Sequence, residues 1–208
     1  MCSRANRFAL HVFKYTIEAV GNKSLTLSPL SMIYSLGMIN NGAEGNTSRQ
    51  ICKITGFTSG TDSINAFCHK IMNEFGYIDS TTTMDIANAA IINENLKIKD
   101  CFVDALKNYY EAMTDVSNFN KNNIVNKVNV WCAEKTDGMI DNIIDNISLD
   151  DAVIIVNAVY FKGLWKNKFN KADTKKDKFK AADGIVRNVD MMQKTDCEQY
   201  AENKTLVL

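Results

Sequence analysis

The pattern of hydrophobic and polar positions is most informative between residues 151 and 165. Four β-branched residues, 153–156, begin an apolar stretch that residues 159–161 continue. Since successive strand residues point to opposite faces, an unbroken apolar stretch predicts a strand covered on both sides. A buried helix is the alternative, which the β-branching and Gly163 disfavour. Asn157 interrupts the stretch, so it should either bond a specific partner or lie where the strand opens to water.

Apolar residues at helical spacing predict six helices elsewhere in the chain. The second is nearly apolar all round and should be deeply buried, with Ser28 as its N-cap and Pro29 in its first turn. The last is expected to be long and to loosen near Gly138. In chain order, the predicted helices cover residues 4–20, 29–41, 45–51, 61–75, 100–110 and 122–144.

Shorter apolar or alternating segments predict the remaining strands. They lie at residues 24–27, 82–92 and 113–119, and residues 205–208 read as the beginning of a further strand at which the sequence stops. There is no internal repeat, low-complexity block or linker. We therefore expect residues 1–208 to form a single domain that is cut short, since complete domains rarely finish on a bare apolar strand.

Composition and charge narrow the function. The sequence is 46% hydrophobic and 23% charged, and its 24 Lys and Arg residues balance 24 Asp and Glu residues. This balance gives no general attraction to nucleic acid or an anionic membrane, so neither is expected as a partner. Charged residues among the apolar positions of the first 20 residues argue against a signal peptide. We therefore expect a cytoplasmic location, with an extracellular one as the alternative.

Catalytic and metal-binding arrangements are also not expected. The histidines are His11 and His69, and the six cysteines contain no Cys-x-x-Cys pair, so free thiols rather than disulfides or zinc ligands are predicted. Cys68 precedes His69 directly, but neighbours on a helix point apart and cannot act as nucleophile and base. No serine-hydrolase, phosphate-loop or metalloprotease motif occurs. The sequence predicts a protein that is not an enzyme and has no cofactor.

Five stretches, in order along the chain, resemble the serpin superfamily of serine protease inhibitors. The most specific is VNAVYFKGLWKNKFNKADTKKDKF at 156–179, and VNVWCAEKTDGMIDNII at 128–144 also matches closely. The other three cover residues 25–51, 84–93 and 102–119. The family-motif residues within the two most specific stretches are Asn129, Trp131, Thr136, Gly138, Tyr160, Phe161, Lys162 and Gly163.

The resemblance implies an α+β serpin-like fold: a helical cluster, a large central β-sheet A that contributes three strands here, and parts of sheets B and C. It implies a parent function of inhibiting serine (or cysteine) proteases by inserting a reactive loop into the sheet. Ser28, Ser31 and Asn157 would then form the shutter, where the central strands part, and Trp165 would lie in the breach region above. The alternatives are that Ser28 is an ordinary N-cap and Asn157 a polar residue at a strand end. For Trp165, a position as a rim aromatic packed on the turn is compatible with the breach role.

Departures from the family pattern limit what this chain should do alone. Serpins usually have prolines where this chain has Asn170 or its neighbours and Asp190, and nothing resembles the small-residue hinge or the reactive-centre bond. We therefore expect no inhibition by the chain alone. An interaction or assembly module, joined by a complementing C-terminal segment or by self-association, is the alternative. Glycosaminoglycan binding is not expected either, because helix 61–75 offers only His69 and Lys70.

Overall fold

The helices and strands follow the predicted periodicity over most of the chain. A computed structural model describes residues 2–21, 23–75, 81–119 and 123–195. The α-helices in these ranges are α1 (Cys2–Val20), α2 (Pro29–Gly42), α3 (Gly45–Thr55), α4 (Thr61–Phe75), α5 (Asp100–Tyr110) and α6 (Ile124–Lys135), and a short 3₁₀ helix spans Lys171–Asp173. The strands are β1 (Thr82–Asn93), β2 (Met113–Ser117), β3 (Val153–Gly163), β4 (Lys175–Lys180) and β5 (Val186–Met191).

The strands form two separate sheets. β1 lies in the centre of a three-stranded sheet of order β2-β1-β3, parallel to β2 and antiparallel to β3. Asn88 of β1 stands opposite Asn157 of β3 in the register. β4 and β5 form an antiparallel hairpin. Residues up to Gly163 form one compact unit that contains the larger sheet, and the hairpin belongs to a second unit that begins at Leu164.

The larger sheet separates two hydrophobic clusters. Val153 and Ile155 of β3 pack against the cluster built by α1–α5, whereas Val156 and Ala158 belong to the cluster built with α6. The first half of β3 is therefore covered on both faces, as its unbroken apolar sequence predicts. The prediction is wrong for the end of the strand, where Phe161 is 65% exposed. Neither hydrophobic cluster of this unit reaches Phe161.

Several observed elements differ from the prediction. Residues 24–27 are not a strand. The predicted helix 122–144 ends at Lys135, because Asp137 and Gly138 take up positive φ angles of 52° and 75° that reverse the backbone after the helix. β4 and β5 were not predicted, because most of their residues are exposed and no hydrophobic alternation marks these strands. The strand predicted at 205–208 lies outside the described residues.

Candidate functional site

The outer edge of β3 is the first component of the site. Within the described ranges, β3 is hydrogen-bonded only to β1. The amide of Asn93 donates to the carbonyl of Ala152 at 3.1 Å, in the same register as the β1–β3 pairs. Hydrogen-bonded and non-hydrogen-bonded pairs alternate in an antiparallel ladder. Because Ala152 belongs to a hydrogen-bonded pair, the even-numbered residues of β3 bond to β1. The odd-numbered residues 153–161 therefore direct their backbone N–H and C=O groups to the open edge. Such an edge can pair with an added strand.

The side chain of Asn157 lies at the middle of this edge strand. Its Nδ2 donates to Asn88 Oδ1 at 2.8 Å and to the carbonyl of Ala87 at 3.3 Å. Its Oδ1 is buried and has no hydrogen-bond donor in the described structure. Asn157 therefore has the specific partner that its sequence context demands, but only half of its hydrogen-bonding capacity is used. A buried acceptor without a hydrogen bond lowers the stability of the protein, and it can accept a hydrogen bond from an incoming donor.

A chain of buried amides and hydroxyls continues from Asn157 into the helical cluster. Asn88, 3% exposed, donates from Nδ2 to the carbonyl of Tyr110 at 2.7 Å. The hydroxyl of Tyr110 donates to Asn65 Oδ1 at 2.6 Å, and the side-chain amides of Asn65 and Asn41 bond each other reciprocally at 2.9 Å. The contacts therefore link β3 through β1 to α5, α4 and α2. Burial raises the pKa of Tyr110 far above its usual value, so its hydroxyl remains a neutral donor.

Sequence reasoning did not find Asn41, Asn65, Asn88 and Tyr110. The signal that could have found them is the one that singled out Asn157, an amide among apolar neighbours. It occurs at Asn88 between Ala87 and Ala89, and at Asn65 in α4.

Ser28 and Ser31 form a local pair at the start of α2. Ser28 Oγ accepts from the backbone amide of Ser31 at 3.3 Å and from the hydroxyl of Ser31 at 2.9 Å. Ser28 thus caps the helix, as its position before Pro29 predicts. No hydrogen bond joins either serine to Asn157 in the described structure. The shutter role of Ser28, Ser31 and Asn157 remains a prediction.

The motif residues of α6 shape the segment that leads to β3. Asn129 Oδ1 accepts the backbone amides of Ile143 at 2.9 Å and Ile144 at 3.1 Å, which ties that segment to the helix. Thr136 Oγ1 donates to the carbonyl of Cys132 at 2.8 Å and accepts the amide of Ile140 at 3.0 Å. The segment between α6 and β3 is therefore held in place although it has no regular secondary structure. Trp131 is buried in the cluster beside α6, and Gly138 has the positive φ described above.

The motif residues at the end of β3 are more exposed. The hydroxyl of Tyr160 donates to Asp137 Oδ2 at 3.3 Å, which connects the strand to the turn after α6. Phe161, Lys162 and Gly163 are exposed. In the second unit, Trp165 is 67% exposed and its ring meets that of Phe169 edge to face, with 5.8 Å between centroids. Trp165 thus has the geometry of a rim aromatic, and its breach role remains a prediction.

The Cys68–His69 pair does not form a catalytic arrangement. Cys68 is completely buried, and burial raises the pKa of its thiol to about 12, so it stays protonated and non-nucleophilic at neutral pH. The ring of His69 stands edge to face against Tyr109. Over the described ranges, no three His, Cys, Asp or Glu residues are grouped as metal ligands would be. No helix in those ranges combines the length and apolar character that crossing a membrane requires.

Comparison with known proteins identifies the scaffold. The family model "Serpin (serine protease inhibitor)" matches residues 3–208. The chain is 30% identical to Serpin-ZX of Arabidopsis thaliana over 88% of its own length and 48% of the plant protein. It is 29% identical to human Serpin B4 over 96% of its length and 56% of the human protein.

Solved structures show the same fold. A cleaved kallistatin complexed with heparin superposes with a TM-score of 0.89 at 23% identity, over 98% of this chain and 61% of that one. The native, stressed form of AtSerpin1 from Arabidopsis gives 0.82 at 27% identity, over 91% and 50%. The chain thus spans about half the length of the curated relatives it matches. Its motifs, its fold and the family match establish that the chain belongs to the serpin family.

Proposed function

We propose that the protein inhibits serine proteases, or cysteine proteases, by accepting a cleaved reactive loop as a new strand beside β3. The observation that carries this proposal is the row of outward-directed backbone groups at residues 153–161 of β3. These groups supply the hydrogen-bond donors and acceptors that an added strand needs. Family membership supports protease inhibition as the general activity.

The chemistry of the trap belongs mainly to the protease. Its nucleophilic oxygen or sulfur forms a bond to the bait carbonyl carbon, the peptide C–N bond breaks, and the leaving amine takes a proton. Normally water would then hydrolyse the acyl-enzyme. Insertion of the freed segment into the sheet carries the attached protease along and distorts it before water can attack. The driving force is the stability gained when the sheet acquires its additional strand.

Several side chains would take part in insertion. Asn157 lies on β3 itself, and its buried Oδ1 accepts no hydrogen bond in the described structure. A donor brought by the new strand would therefore remove the free-energy cost of this unsatisfied acceptor. Opening of the sheet would involve the serines at the start of α2, and Trp165 would lie where insertion begins. These roles extend the family resemblance to single residues of this chain.

We propose further that the 208 residues alone do not trap a protease, because their sequence contains no hinge-like segment of small residues and no reactive-centre bond. The experiment is incubation with trypsin-, chymotrypsin- and subtilisin-like proteases and with a papain-like enzyme, followed by denaturing gel electrophoresis. A full-length serpin serves as the positive control. We expect the proteases to keep their activity and no band of combined mass to form. A covalent complex would show that the chain carries its own bait.

An assembly module is the second candidate function, and the same open edge of β3 favours it. Exposed apolar residues of α1 (Leu10, Phe13 and Ile17) add a surface that a complementing C-terminal segment or another copy would cover. Size-exclusion chromatography with light scattering across a hundredfold range of concentration tests self-association. Concentration-dependent oligomers would support it, whereas a stable monomer at every concentration would count against it.

We do not extend heparin binding to this chain, although two of the structural relatives were solved with heparin. Lys70 of α4 is already paired with Glu74 at 3.4 Å, which leaves little positive charge on that helix. A cytoplasmic location, with an extracellular one as the alternative, is likewise a proposal that rests on the charged positions of the first 20 residues.

A further inference from the structure

A groove between α1 and α3 lies apart from the edge of β3, since none of its described lining residues belongs to that strand. Its volume is about 740 Å³, within the range of roughly 300–1,000 Å³ typical of small-molecule sites. The apolar residues that line it come from three helices: Phe8 and Val12 from α1, Met32 from α2 and Ile54 from α3. It therefore offers an apolar surface large enough for a molecule rather than for a single side chain.

The charges on this groove are all of one sign. Arg7 of α1 and Lys53 of α3 line it, and none of the lining residues that the structure describes is acidic. Neither of these two cations forms an ion pair with another residue in the described part of the chain. His11 adds an imidazole that can donate a further hydrogen bond. Because the whole chain is electrically neutral, this local excess of positive charge is a property of the groove and not of the composition.

We propose that the α1–α3 groove binds an anionic amphiphile of the fatty-acid type. The alkyl chain would lie along the apolar floor, and the carboxylate would accept hydrogen bonds from the guanidinium of Arg7 and the ammonium of Lys53. A polyanion such as a glycosaminoglycan is the poorer match, since it needs rows of cations and little apolar surface. A docked acidic helix is also a poorer match, because a standard protein–protein interface involves roughly 20–30 residues on each side. The structure describes eleven residues that line this groove.

Isothermal titration calorimetry with dodecanoate, below its micelle concentration, tests the proposal directly. Butyrate has the same head group without the tail, and dodecyl maltoside has the same tail without the charge. We expect saturable one-to-one binding of dodecanoate and at least tenfold weaker binding of both controls. Equal binding of the uncharged detergent would overturn the proposal. So would preferential binding of a heparin oligosaccharide or an acidic amphipathic peptide.

Substitutions locate the site on the groove. Lys53→Gln should weaken dodecanoate binding about tenfold, through the loss of one charge-assisted hydrogen bond. Lys107→Gln is the matched control, because Lys107 occupies the last turn of α5 as Lys53 occupies that of α3, but it does not line the groove. Ile54→Ala should weaken binding about fivefold through reduced apolar contact.

Since Lys53, Lys107 and Ile54 are all exposed, these variants should fold, which circular dichroism verifies. Equal affinities for the Lys53→Gln and Lys107→Gln proteins would contradict the assignment.

Discussion

Replacing Asn88 with alanine tests the buried polar chain that joins β3 to the helices. The variant removes the donor to the carbonyl of Tyr110 and the acceptor for Asn157 Nδ2. Each buried group left without its partner costs about 1–3 kcal/mol. Asn157 Nδ2 keeps its weaker bond to Ala87, so the lower part of that range applies to it. The sum is a destabilisation of about 2–4 kcal/mol, a large share of the roughly 5–15 kcal/mol that stabilises a typical domain.

The Asn157→Ala variant should be milder, because it also removes the buried Oδ1 that has no donor. We expect it to cost about 0.5–2 kcal/mol, less than Asn88→Ala. The double variant should lose less than the sum of the two single changes, since both disrupt one hydrogen bond. Asn108→Ala, at an exposed position of α5, is the control.

Urea-induced unfolding followed by circular dichroism measures these differences in the free energy of unfolding. The slope with denaturant should be the same for all four variants, so that changes in midpoint report stability. If the free energies of unfolding of the Asn88→Ala and Asn108→Ala proteins differ by less than about 0.5 kcal/mol, the reasoning is refuted. An effect that small is typical of a surface substitution and would not require a buried hydrogen-bond network.

Three further outcomes follow from the structure. Gly37→Ala should cost about 1–3 kcal/mol in urea unfolding, since its Cβ would clash with the hydroxyl of Tyr110. The same change in a Tyr110→Phe background should cost less, and equal costs would contradict this contact. Cys101 is exposed, whereas burial raises the pKa of Cys68 to about 12. In a protein whose other four cysteines are replaced by serine, only the thiol of Cys101 should react rapidly with a disulfide reagent at pH 8. Rapid reaction of both thiols would contradict this. A hydrogen bond from Arg187 lowers the pKa of Asp183. The stabilisation that Asp183 gives to the β4–β5 hairpin is therefore present above the ordinary aspartate pKa and is lost as the pH falls through the lowered value. An NMR titration that gives a normal or raised pKa for Asp183 would refute this.

The fold was largely predictable because its patterns are local. The apolar stretch of β3, the cap at Ser28 and the periodicity of α1 and α4 are each readable within about a dozen residues. The helix after residue 122 was predicted too long. It ends because the backbone of Asp137 takes up a positive φ angle, and the spacing of apolar residues does not reveal such a change. β4 was missed because its six residues are all exposed, so no hydrophobic alternation marks it.

The candidate site was only half predictable, for a different reason. Asn157 was noticeable as a polar residue in an apolar stretch. Its partner Asn88 is 69 positions away in sequence, and only the antiparallel register of β1 and β3 brings the two amides together. The open edge of β3 follows from the sheet order β2-β1-β3. The alternation of its backbone groups could be assigned only once the bond from Asn93 to Ala152 was known.

Amide hydrogen exchange along β3 is the most direct test of the claim that its outer edge accepts a strand. In the chain alone, the amides of residues 155, 157 and 159 should exchange much faster than those of 154, 156 and 158, because only the latter are bonded to β1. Adding an excess of an extended peptide of alternating threonine, alanine and valine should then slow the odd-numbered amides selectively. Equal protection of both sets in the chain alone, or odd-numbered amides that the peptide leaves unchanged, would contradict the account.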